Sequence, residues 1–133
     1  MELMKKTIGQ YLKEQAAVIG SHTAMEMFGW SCDFAQLDEV SGLLAGRLDK
    51  MGVTRGTHVG IWSLNSPNWV FTFLALVKIG AVPVLINTCY RDEELKGILN
   101  YSDVEYVFCG MGCKDIVYDD VIARIRQDTP KVK

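Results

Sequence analysis

Apolar residues recur along this chain in two alternating modes, a helical spacing of three and four and short unbroken runs, and the alternation lays out its elements. Ile8, Tyr11, Leu12, Gln15 and Ile19 keep the helical spacing; with Thr7 as N-cap and Gly20 as a stop they predict an amphipathic helix over 7–19. Thr23 to Trp30 alternates loosely between Ser21 and Gly29 and predicts a strand pairing with a short one at 31–34. From Ala35 to Met51, Leu37, Val40, Leu43, Leu44 and Leu48 return to helical period, and Gly52 is a natural terminator. His58 to Leu64 is a short apolar run suited to a buried strand, and Asn65-Ser66-Pro67 supplies a cap and a first-turn proline. The next helix, 67–79, is apolar almost all round and needs cover on several sides. Ala81 to Ile86 reads as a second continuous apolar strand, of the kind that lies in a parallel sheet covered on both faces. A helix over 91–101, a third strand over 105–109 and a last helix over 119–127 complete the pattern. The predicted fold class is α/β, a partial doubly wound, mostly parallel sheet with helices on both faces. Residues 1–34 form a leading helix and short hairpin, and 35–133 the alternating core, with no repeat or linker between.

Composition narrows the class. At 133 residues and 49% hydrophobic, the chain buries roughly two-thirds of its unfolded surface, so it needs neither metal nor cystine to build a core. Fourteen basic against sixteen acidic side chains, with no basic run, argue against a nucleic-acid partner. Trp69 to Ile86 is almost uncharged and of spanning length, but Lys78 sits near its centre, at a cost of about 2.5 to 3.5 kcal/mol on insertion scales. Gly80 and Pro83 break it further, so it reads as a buried helix and strand with no transmembrane segment. Met1 to Lys6 is charged and leads into Gln10, Lys13 and Glu14 instead of an apolar signal core, which predicts a cytoplasmic protein. There Cys32, Cys89, Cys109 and Cys113 are reduced thiols. The spacing of Cys109 and Cys113 has no second pair to complete it and His22 and His58 are isolated, so no metal site is predicted.

Ligands of α/β sheets sit beyond the carboxyl ends of the strands, and candidate chemistry is sought there first. Gly110-Met111-Gly112 follows a predicted strand, yet the third glycine of a dinucleotide fingerprint is Asp115, so the glycines are read as releasing the chain. No glycine-rich loop ending in Lys-Ser or Lys-Thr exists, which excludes a P-loop. Glu93-Glu94 and Asp119-Asp120 are helix neighbours about 100 degrees apart and cannot flank one substrate; they suit helix starts. No serine occupies a Gly-x-Ser-x-Gly elbow. Trp62 and Trp69 are both read as core. These residues alone define an α/β domain with no catalytic residue and an unassigned ligand.

A longer pattern runs from Phe34 to Phe108. Phe34-Ala35-Gln36-Leu37, Leu44-Ala45-x-x-Leu48, Met51-Gly52-Val53, Gly56-x-x-Val59, Asn65-Ser66-Pro67-x-Trp69, Lys78-Ile79-Gly80-Ala81-Val82-Pro83-Val84, Ile86-Asn87-Thr88 and Glu94-Leu95 occur in order. Together they resemble the amino-terminal portion of adenylate-forming (AMP-binding) acyl-CoA synthetases, and the stretch from Lys78 to Phe108 is most similar to fatty-acid-CoA ligases. Gln36, Thr57 and Asn68 depart from the family pattern at positions that serve turns and helix caps.

The resemblance implies a two-step ligase in which a carboxylate, such as a fatty acid, attacks ATP with Mg²⁺ to give an acyl adenylate that CoA converts to a thioester. The phosphate loop, ribose-binding acid and catalytic lysine of that chemistry lie downstream in the family, so the fragment is expected to be inactive alone and to hold no cofactor itself. By resemblance, Asn87, Thr88 and Cys89 lie near the channel for the pantetheine arm of CoA, and Lys114 approaches the CoA phosphates. A purely structural turn at Asn87 and Thr88, and a solvated Lys114, remain open alternatives. Two other readings stand beside the ligase fragment: a freestanding module binding CoA or a nucleotide, and an interaction module forming homo-oligomers through an exposed sheet edge.

Overall fold

The computed structural model describes residues 5–133, so the first four residues of the charged opening lie outside the described residues. Helix α1 (Ile8–Ile19) begins on a capping box in which the Thr7 hydroxyl accepts from the Gln10 N–H and the Gln10 side chain accepts from the Thr7 N–H. A hairpin follows, β1 (Thr23–Met27) antiparallel to β2 (Trp30–Asp33). Helix α2 (Phe34–Lys50) opens on a second capping box, Asp33 with Gln36, so the departure from the family pattern at Gln36 is used as a cap. Thr57 is used likewise: its hydroxyl accepts from the Thr54 N–H at 3.1 Å and closes the turn before the sheet.

The alternating core is β3 (His58–Trp62), α3 (Pro67–Ile79), β4 (Val82–Leu85), α4 (Asp92–Tyr101), β5 (Tyr106–Cys109), a small hairpin β6 (Gly112–Cys113) and β7 (Ile116–Val117), and α5 (Tyr118–Ile125), which ends in a 3₁₀ turn. The hairpin is not among the elements that periodicity predicts, because two-residue strands are too short to show a period. The main sheet is parallel, ordered β4-β3-β5. Its faces are covered as the α/β expectation requires. Val59 and Ile61 of β3 point to one side and pack with Leu48, Ala75 and Leu76 of α2 and α3. Trp62 points to the other and packs with Leu95, Leu99, Tyr118 and Val121 of α4 and α5. A third cluster, Leu12, Cys32, Leu37 and Phe71, seals α1 and the first hairpin onto the α2–α3 layer.

Two expectations about apolar runs meet different outcomes. Helix α3 touches α1, α2, β3 and β4, and this surround accommodates a helix that is apolar on every side. Strand β4 is not covered on both faces as its composition suggested: it lies at the sheet edge, with Val82 40% and Leu85 56% exposed. An apolar run reports that a strand is mostly buried in some assembly of elements, but strand order, which is non-local, decides which strand is central. Among the described residues no helix is long and apolar enough to cross a membrane.

Candidate functional site at the strand ends

The chain leaves β3 through α3 to β4 on one side and then returns through α4 to β5 on the other, so a crevice opens at the carboxyl end of β3 between the two crossovers. Two adjoining concavities occupy it. One, of about 410 Å³, is lined by Ser63, Asn65, Leu85, Asn87 and Thr88; the other, of about 470 Å³, by Ser66, Thr72, Phe108, Gly110 and Met111. Ile61, Ser63 and Trp69 belong to both, making one groove across the end of β3. A larger concavity, about 680 Å³, lies among α1, α2 and α3. The half-buried charge there, Lys78, is already paired with the Asp38 carboxylate and bonded to the Asp38 carbonyl, each at 2.6 Å, so the strand-end groove is the better candidate.

The loop that borders the groove is held by two buried aromatics behind it. Trp62, fully buried, stacks on Tyr118 with ring centroids 3.7 Å apart, and its indole N–H donates to the Asn87 carbonyl at 3.0 Å. The Tyr118 hydroxyl donates to the next carbonyl, Thr88, at 2.9 Å. Two aromatic donors thus hold successive peptides of the loop leaving β4. Within that loop the Asn87 side chain accepts from the Cys89 N–H at 2.9 Å and the Asn87 carbonyl from the Tyr90 N–H, an Asx turn that occupies Asn87 locally. Asn87 and Thr88 line the groove; Cys89 is exposed beside it. Lys114 stands apart, exposed at the tip of the β6–β7 hairpin with a φ of 55°, while neighbouring Asp115 pairs with Arg91 at 2.8 Å.

Tight packing explains the glycines after β5. A Cβ at Gly110 would come within 2.8 Å of the Ser63 hydroxyl, and one at Gly112 within 2.2 Å of the Ile116 carbonyl. Both serve close approach of chain to chain, a packing role beyond the simple release of the chain from the strand that the sequence predicts. Sequence reasoning overlooked Trp69 as a groove residue. It is half-buried, stacked on Phe73 at 5.6 Å, and forms the wall shared by both concavities. Its only signal was its place two residues after the first-turn proline, on the helix start that faces the strand ends. Trp62 is core as expected, and Trp69 also packs against the α2–α3 core while its other side faces the groove.

The electrostatics suit binding more than catalysis. Burial, with the Asp119 carboxylate next, pushes the Cys109 thiol up, against thiolate reactivity. Burial, followed by the nearby thiols, also raises Tyr118, which keeps its phenol a neutral donor. Among the described residues no cluster of histidine, cysteine or acidic side chains is placed to hold a metal, and no lysine lines the groove, so these residues do not fit Mg²⁺ or ATP phosphates. The lining offers serine, threonine and amide groups beside apolar walls, and no charged side chain.

Comparison with known proteins agrees with this architecture. The sequence profile of the AMP-binding enzyme family matches residues 12–133. The chain is 32% identical to the mitochondrial medium-chain acyl-CoA ligase ACSF2 of Rattus norvegicus, over 87% of this chain and 18% of the relative. It is 30% identical to YngI of Bacillus subtilis (strain 168), over 99% of this chain and 24% of that protein. Its fold matches a crystal structure of a long-chain-fatty-acid-CoA ligase from Archaeoglobus fulgidus with a TM-score of 0.87 and 28% identity, over 100% of this chain and 27% of that one. The inhibitor-bound N-terminal domain of FACL13 from Mycobacterium tuberculosis matches with a TM-score of 0.86 and 27% identity, over 96% of this chain and 32% of that domain. The chain therefore spans about a quarter or less of the curated relatives it matches, and its parallel sheet, strand-end groove and matched profile together make it a member of the AMP-binding enzyme family.

Proposed function

We propose that these residues are the amino-terminal part of an ATP-dependent fatty-acyl-CoA ligase acting in the cytoplasm. The whole enzyme joins a fatty acid to AMP with release of pyrophosphate, using Mg²⁺, and then transfers the acyl group to the thiol of CoA. The observation that carries the reading is the match along the entire chain to a long-chain-fatty-acid-CoA ligase, with a medium-chain acyl-CoA ligase among the sequence relatives. Four free cysteines support a reducing compartment. Residues 1–133 form one partial domain that supplies a wall but no reacting group.

In this reading the loop Asn87-Thr88-Cys89 borders the path of the pantetheine arm and Lys114 approaches the CoA phosphates. The neutral, hydroxyl- and amide-lined groove supports the first assignment, and the exposure of Lys114 permits the second. The test is to express the whole open reading frame containing these residues beside residues 1–133 alone, and to follow pyrophosphate release and thioester formation with fatty acids of graded length. Both products are expected from the whole frame and neither from residues 1–133. A frame that closes after Lys133, or one that adenylates carboxylates without ever forming a CoA thioester, overturns the proposal.

A further inference from the structure

The loop after β4 depends on the core behind it more than on the sheet. Ladder bonding along this edge ends where the Ile86 N–H donates to the Ile61 carbonyl at 3.1 Å. The next two carbonyls, Asn87 and Thr88, accept instead from the Trp62 indole N–H at 3.0 Å and the Tyr118 hydroxyl at 2.9 Å, donors 25 and 30 positions away along the chain. Both donor side chains are fully buried and stacked on each other. A core needs only their apolar volume; their polar tips are what reach the loop. Other ties are weaker. The Asn87–Cys89 turn bonds the loop only to itself, and the ion pairs Arg91–Asp115 and Arg124–Asp92 beyond it lie in water, which screens them. A carbonyl aimed at a fixed donor also fixes the rest of its planar peptide. The clasp therefore sets the peptide planes of the two residues that line the groove, and it acts from the core side, whatever covers the groove.

We propose that Trp62 and Tyr118 are positioning residues for thioester formation: from behind the groove they hold Asn87 and Thr88 in the orientation that fits the amide-bearing arm of CoA. This rests on the reading of the groove as the path of that arm, and adds the two residues that decide its fit although neither lines it. Neither touches substrate, so neither is catalytic. The groove presents no charged side chain to ATP, so the clasp acts on the CoA step and leaves adenylate formation alone. A misplaced wall costs binding of the arm, because hydrogen-bonding groups contribute only where their geometry is held in advance.

The test uses the whole enzyme from the open reading frame carrying Tyr118→Phe, which keeps the stacked ring and removes one donor. Pyrophosphate release without CoA reads adenylate formation, and thioester formation against CoA concentration reads the second step. The KM for CoA is expected to rise about three- to tenfold, the range that one neutral hydrogen bond allows, with kcat at saturating CoA and pyrophosphate release unchanged. Trp62→Phe, which frees the Asn87 carbonyl, moves the KM in the same direction. Ile125→Val, in the same core but outside the clasp, lowers the melting temperature comparably and leaves the KM for CoA at the parent value. Circular dichroism confirms folding, and either clasp variant carries the test by itself. A parent enzyme that makes adenylate but no thioester overturns the reading of the groove and this proposal with it. With an active parent, an unchanged KM for CoA in the clasp variants overturns the proposal alone. So does a loss of both steps together, or an equal rise in Ile125→Val.

Discussion

Tyr118 links core and groove through one side chain: its ring stacks on Trp62 inside the α4–α5 core, and its hydroxyl holds the Thr88 peptide of the strand-end loop. Tyr118→Phe keeps the stack and removes the bond, leaving a part-buried carbonyl unpaired. The expected cost is about 1 to 2 kcal/mol, read by urea denaturation, with faster amide exchange in the loop after β4. The phenol also carries a pH signature. Its folded value lies above the ordinary 10.0, chiefly through burial, so the neutral form is the one that folding favours. Its stabilising contribution is complete below pH 10 and is lost as pH rises through the folded value. Alkaline unfolding monitored by circular dichroism should therefore lose part of its pH dependence in Tyr118→Phe. Lys78 gives a second case, since its side chain is 15% exposed and bridges α3 to Asp38 of α2. Asp38→Ala strands that ammonium and is expected to cost about 2 to 3 kcal/mol, part of it recovered by adding Lys78→Met; a double-mutant cycle measures the coupling. Neither partner was legible as a pair, because forty positions separate them along the chain.

Elements bounded by local signals were the most legible. Ser66 accepts from the Trp69 N–H at 3.2 Å and Pro67 occupies the first turn, so α3 begins where its sequence says. Ser66→Ala is expected to lower stability by about 1 kcal/mol in urea titration without changing the slope. The acidic pairs likewise sit in first turns, Glu93 and Glu94 in α4 and Asp119 and Asp120 in α5. Strand β4 carries the opposite lesson. Val82 and Ile86 donate inward to Thr57 and Ile61 at 2.9 and 3.1 Å, so the alternate positions, Pro83 and Leu85, face the open edge. Pro83 has no N–H to offer there, which blunts this edge as a template for another strand. Pro83→Val restores the donor, and light scattering on heating should show earlier aggregation than in the parent chain. The edge is thus a weaker route to self-association than its apolar composition implied.

Across the whole molecule, two cores on opposite faces of one three-stranded sheet are joined mainly through β3, which alternates Val59 and Ile61 into one and Trp62 into the other. A change in either core should therefore be felt in both. Trp62→Ala empties the centre of the α4–α5 core and removes the anchor of Asn87, at an expected cost of about 3 to 5 kcal/mol, a large part of the 5 to 15 typical of a domain. Urea unfolding followed by far-ultraviolet circular dichroism and by tryptophan fluorescence should still coincide, as one cooperative unit requires. Separate transitions would mean that the two cores fold independently. The amino-acid sequence by itself determined the five helices and the strands of the main sheet and first hairpin, the caps at Thr7 and Ser66, the α/β class and, through the ordered pattern from Phe34 to Phe108, the family. These depend on neighbours a few positions away or on motifs met in order. The tertiary structure alone decided that β4 is an edge, that Trp69 adds a groove wall to its core packing, and that Trp62 and Tyr118 clasp Asn87 and Thr88. Those facts depend on strand order and on contacts between residues far apart in the chain, and hydrophobic periodicity records only that a side chain is buried, never against what.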